Sequence, residues 1–302
     1  YQLAYFAIMM KARQYNRRIL NGENTCHVYA IQESNNINRA HLKYLGAGMD
    51  DLEVNTARVQ LEGLLDTLRD AKEYGSILKV ESYNWELLRR FVSAADAGEQ
   101  VTMDSTGLEA TVAQLLTLID IGETLERKYN VVVTNPPYMS SGNMGAKLLS
   151  KIKTDYDMAK NDTYSAFIVK CRDLTKPNCF YSMITMQGWM FTQRFEELRS
   201  MLLNDVLYSM LHVGYNSFPE LNSKIAQATS FTICKCHIDH YTSKYFDLTN
   251  RIPQNADKKN VFDQKLLAND YITIQNDKFS HLPGYQFAYW ITPPLLNDFS
   301  KG

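Results

Sequence analysis

The sequence predicts an α/β protein: a doubly wound sheet with an antiparallel hairpin at one edge and a mainly helical insertion. Three observations predict it. Val131-Val132-Val133 is β-branched throughout and does not alternate, as in a strand buried on both faces of a parallel sheet. From there to about residue 248, strand-like and helix-like segments take turns, the pattern of crossover connections. Before residue 129, in contrast, the apolar residues recur at helical spacing.

The elements follow in order. Tyr1, Tyr5, Ile8, Met9 and Ala12 share one helical stripe, so the chain is expected to open inside a helix, with residues 1–20 assigned to the sheet-bearing core. Residues 21–49 hold Asn, Gly and Ser clusters around a strand-like piece, Cys26–Gln32, and read as irregular surface. Leu61, Leu64, Leu65 and Leu68 mark an amphipathic helix between residues 50 and 74, with Asp50 and Asp51 at its positive N-terminal end. A break at Tyr74–Leu78 precedes a short helix from Trp85 to Ala95. Met103-Asp104-Ser105 then opens a longer one that buries Val112, Leu115, Leu116, Ile119 and Leu125. Residues 21–129 together read as the insertion.

The core spans residues 130–250. After Val131–Val133 come a helix at Thr163–Leu174, a strand at Cys179–Met186, a helix at Phe191–Leu203 and a strand at Val206–Val213. Ala228–Ile238 and Ser243–Leu248 are read as the edge hairpin, turning at Asp239-His240. Residues 251–302 read as an extension. No repeat or low-complexity tract is visible.

Composition narrows the partners. The 302 residues are 45% hydrophobic and 22% charged, which excludes collagen-like, disordered and disulfide-scaffold classes. Lys+Arg 32 against Asp+Glu 33 gives a net charge of −1, so a polyanion must find a local patch. The longest apolar run, Leu3–Met10, is less than half of the ~20 residues a membrane span needs, and no membrane partner is expected. No signal-peptide pattern opens the chain, and the five cysteines are odd in number and scattered, which fits reduced thiols in a cytoplasm. Cys234, Cys236, His237 and His240 lie close in sequence. They follow an alternating strand pattern and have no second pair at zinc-site spacing, so no metal is expected.

One short motif carries chemistry. Asn135-Pro136-Pro137-Tyr138 lies just past a strand end, where open α/β sheets bind ligands. Asn135 offers a side-chain carbonyl as acceptor. Pro136 is held extended by Pro137, so its own C=O is free to face a cleft. Tyr138 supplies a flat face for a planar heterocycle. Two acceptors beside a stacking face suit an exocyclic amine on a flat ring. Such an amine is a poor nucleophile while its lone pair is delocalised, and holding its two hydrogens favours the pyramidal form that can accept a methyl group.

With these residues in view, the sequence resembles the S-adenosylmethionine-dependent amino-methyltransferases, above all the N6-adenine DNA methyltransferases. Further segments are similar to the large restriction–modification and phage-defence enzymes, particularly the PglX-type methyltransferases of BREX systems. These are Gln2–Arg13, Asp70–Ile77, and Pro283-Gly284 followed by Phe287–Trp290. The resemblance implies a doubly wound Rossmann-like methyltransferase sheet, S-adenosylmethionine as cofactor, and methylation of an adenine flipped out of double-stranded DNA, with restriction or defence-system subunits as partners. Protein-glutamine and rRNA-guanine methyltransferases use the same tetrapeptide, and a catalytically inactive binding fragment is a third reading. The resemblance also implies that the Gly-rich cofactor loop precedes Tyr1 and that a target-recognition region follows residues 251–302. The chain is therefore read as a piece of a longer enzyme, inactive alone.

The resemblance assigns further residues. Gly75, Ser76 and Ile77, with Tyr164 and Phe167, would line the cofactor site; a helix-ending Gly and ordinary core packing explain the same residues. Trp189 and Phe191, after the strand ending at Met186, would line the base pocket or else be core aromatics. Lys147 and Lys151, in a run with Lys153 and Lys160, would face DNA phosphates, or form a solvated helix face diluted by Asp155, Asp157 and Asp162.

Overall fold

The computed structural model describes residues 2–23, 26–96, 106–215, 227–249, 252–253, 256–292 and 294. The chain divides into two compact units, Tyr1–Glu126 and Arg127–Gly302.

The first unit is helical. Its opening helix α1, Gln2–Tyr15, buries only Met9 among its residues, so the stripe read as a buried face is largely open: Tyr5 and Ile8 are 39% and 47% exposed. The piece Cys26–Gln32 forms no strand. Helix α2, Asp51–Thr67, starts where Asp50 caps it, its side chain accepting the Glu53 amide at 2.9 Å. Leu61, Leu64, Leu65 and Leu68 are fully buried, as their spacing implies. They share one core with Leu88 and Phe91 of α4 (Trp85–Ser93) and Leu115 and Ile119 of α5 (Leu108–Glu126). Between α2 and α4 lies the single turn α3, Ala71–Tyr74. The expected start of α5 at Met103-Asp104-Ser105 lies outside the described residues.

The second unit is built on a six-stranded sheet, ordered β1-β2-β4-β3-β5-β6. Strand β1 (Tyr129–Thr134) runs parallel to β2 (Thr175–Met186). The connection carries α6 (Ala146–Asp155) and α7 (Thr163–Leu174). After α8 (Glu196–Leu202) comes β3, Val206–Gly214. Strand β4, Ala228–Cys234, lies antiparallel to both β2 and β3 and fills the space between them. Strand β5 (Thr242–Asp247) is parallel to β3, and β6 (Ile272–Gln275) closes the far edge antiparallel to β5, after α9, Lys258–Leu267.

Three expectations need correction. The two segments read as an edge hairpin do not pair: β4 is interior, and the antiparallel edge is made by β5 and β6. Local pattern identifies both strands but says nothing about which neighbour each will choose. Second, the extension past residue 250 contributes β6 to the sheet, with Phe279, Phe287 and Tyr289 buried in the same unit. Third, β1 is not covered on both faces. It stands at the edge of the described sheet, with Val131 61% and Val133 71% exposed. An unalternating valine run favours extended backbone through its branched side chains, whether or not both faces are covered. The α/β class stands on the β1–α7–β2 crossover rather than on a buried β1. Among the described residues, no helix is long and apolar enough to cross a membrane.

Candidate active site

Asn135 is the first residue past the carboxyl end of β1, exposed to solvent, while Pro136 is buried and Tyr138 half-buried. The Tyr138 hydroxyl lies 2.9 Å from Asn135 Oδ1 and 3.2 Å from the Ile184 carbonyl of β2, positioned to donate to either. Burial pushes the Tyr138 phenol up to about 12, so it keeps the proton it donates. The Asn135 side-chain oxygen therefore already faces a hydrogen-bond donor, the role the amine reading requires of it. The Tyr138 ring meets Tyr164 edge-on, with centroids 6.2 Å apart and planes at 87°.

Two prolines leave this turn short of donors of its own, and the start of α7 supplies the restraint. Thr163 Oγ1 donates to the Pro137 carbonyl at 2.6 Å, while the Met139 amide points to Thr163 Oγ1 at 3.0 Å and to Asp162 Oδ1 at 3.2 Å. The Thr163 amide donates to the Met139 carbonyl at 3.0 Å. Asp162 also caps α7 through the Tyr164 amide at 3.2 Å. Both residues are buried, and desolvation, only partly offset by these amide bonds, raises the Asp162 pKa.

The other assigned residues fall in both units: Gly75, Ser76 and Ile77 in the first, the rest in the second. Gly75 caps α3 with φ +62, a conformation that costs an L side chain energy, and nothing lies within 4 Å of where its Cβ would stand. Ser76 is exposed and Ile77 buried, and helix termination accounts for the glycine. Tyr164 is buried against Tyr138 and Phe195, so its ring is a packing element; Phe167, on the same helix, is half-buried. Trp189 requires correction. It is fully buried, its Nε1 donates to Thr185 Oγ1 at 3.1 Å, and its ring packs on Phe231 and Phe287 at 5.1 and 5.3 Å. With no face left over, it lines no base pocket. Phe191 is half-buried and meets Trp290, itself 50% exposed, at 5.8 Å. Lys147 is exposed on α6, and Lys151 is paired with Asp155 at 3.1 Å.

Three residues have a part in this region that the sequence does not disclose. Asp162 and Thr163 carry the signature of a helix start, Asp before the first helical residue, which was available but points to capping alone. Arg199 is fully buried, its guanidinium donating to the Gly284, Trp189 and Thr192 carbonyls at 2.7, 2.8 and 2.8 Å. It ties the Pro283-Gly284 stretch to the turn after β2, and burial lowers its pKa.

Two curated relatives align with nearly the whole chain. The adenine-specific methyltransferase PglX of Lacticaseibacillus casei (strain Zhang) is 29% identical over 300 residues, covering 98% of this chain and 24% of its own length. The adenine-specific methyltransferase BrxX of Escherichia coli O9:H4 (strain HS) is 30% identical over 318 residues, covering 99% and 26%. The chain thus spans about a quarter of the curated relatives it matches. A solved structure, a nuclease-deletion mutant of the Type ISP restriction-modification enzyme LlaGI with a DNA substrate mimic, is similar at 14% identity and a TM-score of 0.44, covering 69% of this chain and 18% of that one. The family described as Eco57I restriction-modification methylase matches residues 2–218, a span that contains Asn135–Tyr138, and the chain belongs to that family.

Proposed function

We propose that this chain carries the catalytic residues of an S-adenosylmethionine-dependent enzyme that methylates the N6 amine of adenine in double-stranded DNA, within a restriction–modification or phage-defence system. The observation that carries the proposal is Asn135-Pro136-Pro137-Tyr138 held at the carboxyl end of β1, with Asn135 Oδ1 facing a donor, in a chain of the Eco57I family.

The chemistry follows from the residues. The lone pair of adenine N6 cannot be approached in line while the base is stacked and paired, so the base must be extruded to reach Asn135. The Tyr138 ring would hold the extruded base, a contact worth roughly 1–3 kcal/mol. Asn135 Oδ1 and the Pro136 carbonyl would accept the two N6 hydrogens and stabilise the positive charge that develops on nitrogen. The incoming amine takes the place of the Tyr138 hydroxyl on Asn135, and Ile184 O remains as that hydroxyl's acceptor. S-adenosylmethionine supplies the electrophilic methyl group. Tyr164 and Phe167 of α7, in the unit that carries Asn135, are the residues proposed to line its site. Phe191 is assigned to the base, and Lys147 and Lys151, the latter 3.1 Å from Asp155, to phosphates. Residues 21–129 are assigned as an insertion and residues 251–302 as the lead toward target recognition. Restriction or defence subunits are the proposed partners.

The test is methyl transfer by the full-length protein to double-stranded DNA, with nucleosides identified by mass spectrometry. N6-methyladenine that disappears with Asn135→Ala is the expected result. Methyl groups on protein glutamine or rRNA guanine, with none on DNA, would replace the DNA reading.

A further inference from the structure

We propose that Asp162 and Thr163 are positioning residues for the Asn-Pro-Pro-Tyr turn, holding its backbone so that Asn135 and Tyr138 present their acceptor and ring to the substrate. The proposal rests on the catalytic reading of Asn135 given above.

A turn with two consecutive prolines lacks two amide donors, so it cannot pin itself through its own N–H groups. Its shape must be fixed through its carbonyls and through the next amide. Those are the groups held here: the Pro137 carbonyl by Thr163 Oγ1, and the Met139 amide by Thr163 Oγ1 and Asp162 Oδ1. The Thr163 amide adds a bond to the Met139 carbonyl. The clamp therefore grips the chain immediately before and immediately after Tyr138. Asn135 is joined to the clamped Pro137 through Pro136 alone, whose fixed φ carries the restraint back along the chain. A bridge pairing Ser140 with Asp162, and the Ser141 amide on the Asn161 carbonyl at 3.0 Å, extend the grip by two residues. A single hydroxyl, that of Thr163, both donates to one side of the turn and accepts from the other. No hydrophobic residue of the same shape reproduces that.

Neither residue is asked to touch substrate. Misplacing a reacting group by about 1 Å can cost on the order of 100-fold in rate without loss of binding, so a positioning role predicts a change in rate rather than in affinity. A role limited to capping α7 predicts lower stability and an unchanged rate for the folded enzyme.

The experiment compares Thr163→Val, Thr163→Ser and Asn135→Ala in the full-length protein. It measures the single-turnover methyl-transfer rate, the KM for DNA, and the thermal midpoint. Expected are a rate about 10- to 100-fold lower for Thr163→Val, a KM for DNA within about twofold, and recovery to within about threefold for Thr163→Ser, which keeps the hydroxyl. A Thr163→Val rate within twofold of wild type, with Asn135→Ala inactive, overturns the clamp and leaves the catalytic reading in place. An unaffected Asn135→Ala rate removes the catalytic reading and the proposal with it. Should Thr163→Val fail to fold, amide exchange in the wild-type protein still decides. The Met139 amide must be strongly protected, and exchange at the rate of an unstructured peptide overturns the proposal.

Discussion

The turn after β1 and the turn after β2 leave the same end of two parallel neighbours, yet they have opposite fates. Residues 135–139 reach solvent with a carboxamide and a half-buried phenol, and polar groups of α7 hold their backbone. Residues 187–190 fold inward, burying Trp189 and Met190, and the Trp189 carbonyl accepts from the buried Arg199. A strand's carboxyl end is thus a place where a site is permitted, not a place where one must exist. What separates the two turns is what packs against them: the start of α7 meets the first with Asp162 and Thr163, whereas the second is met by the rings of Phe231, on β4, and Phe287.

That contrast is breakable by substitution. Trp189→Ala should cost about 3–5 kcal/mol of stability, as emptying a large core site does, seen as a lower denaturant midpoint, while any folded enzyme keeps its rate. A stable Trp189→Ala protein that had lost its base capture would instead return Trp189 to the site. Asn135→Ala should leave stability and DNA affinity nearly unchanged and lower turnover on the order of 10²–10³-fold, by analogy with loss of one oxyanion-hole donor. Tyr138→Ala should weaken capture of the extruded base by roughly 1–3 kcal/mol, read from 2-aminopurine fluorescence at the target position. Tyr138→Phe keeps the ring and should keep most activity; if it matched Tyr138→Ala, the hydroxyl bond to Asn135 would be needed for chemistry and the stacking account would fail. Smallest of all, Lys147→Ala should reduce the slope of log affinity against log salt by about 1.

Much of this was legible in the residues. The leucine spacing of α2 and the Asp50 cap are local facts, and local facts survive folding. The motif was legible too, because its four residues are informative only in combination and fall at a strand exit. Partner choice was not. That β4 inserts between β2 and β3 is a matter of pairing with β2 across roughly forty to fifty residues, and its alternating pattern suits any antiparallel neighbour. The exposure of Val131 and Val133 was hidden for the same reason. Asp162 and Thr163 were visible as a helix start but not as a clamp, since nothing local ties them to a turn more than twenty residues earlier. Trp189 misled because an aromatic after a strand end looks the same in sequence whether it faces a ligand or a core.

The position of β1 also bears on how the protein behaves as a solute. Where that margin of the sheet is open to water, a row of backbone donors and acceptors stands beside two exposed valines, with no lysine or proline within the strand to blunt it. Such a margin is adhesive. A chain with it uncovered should associate as concentration rises, with scattering that grows faster than linearly, and a single lysine in place of Val133 should restore linearity without touching the turn that follows.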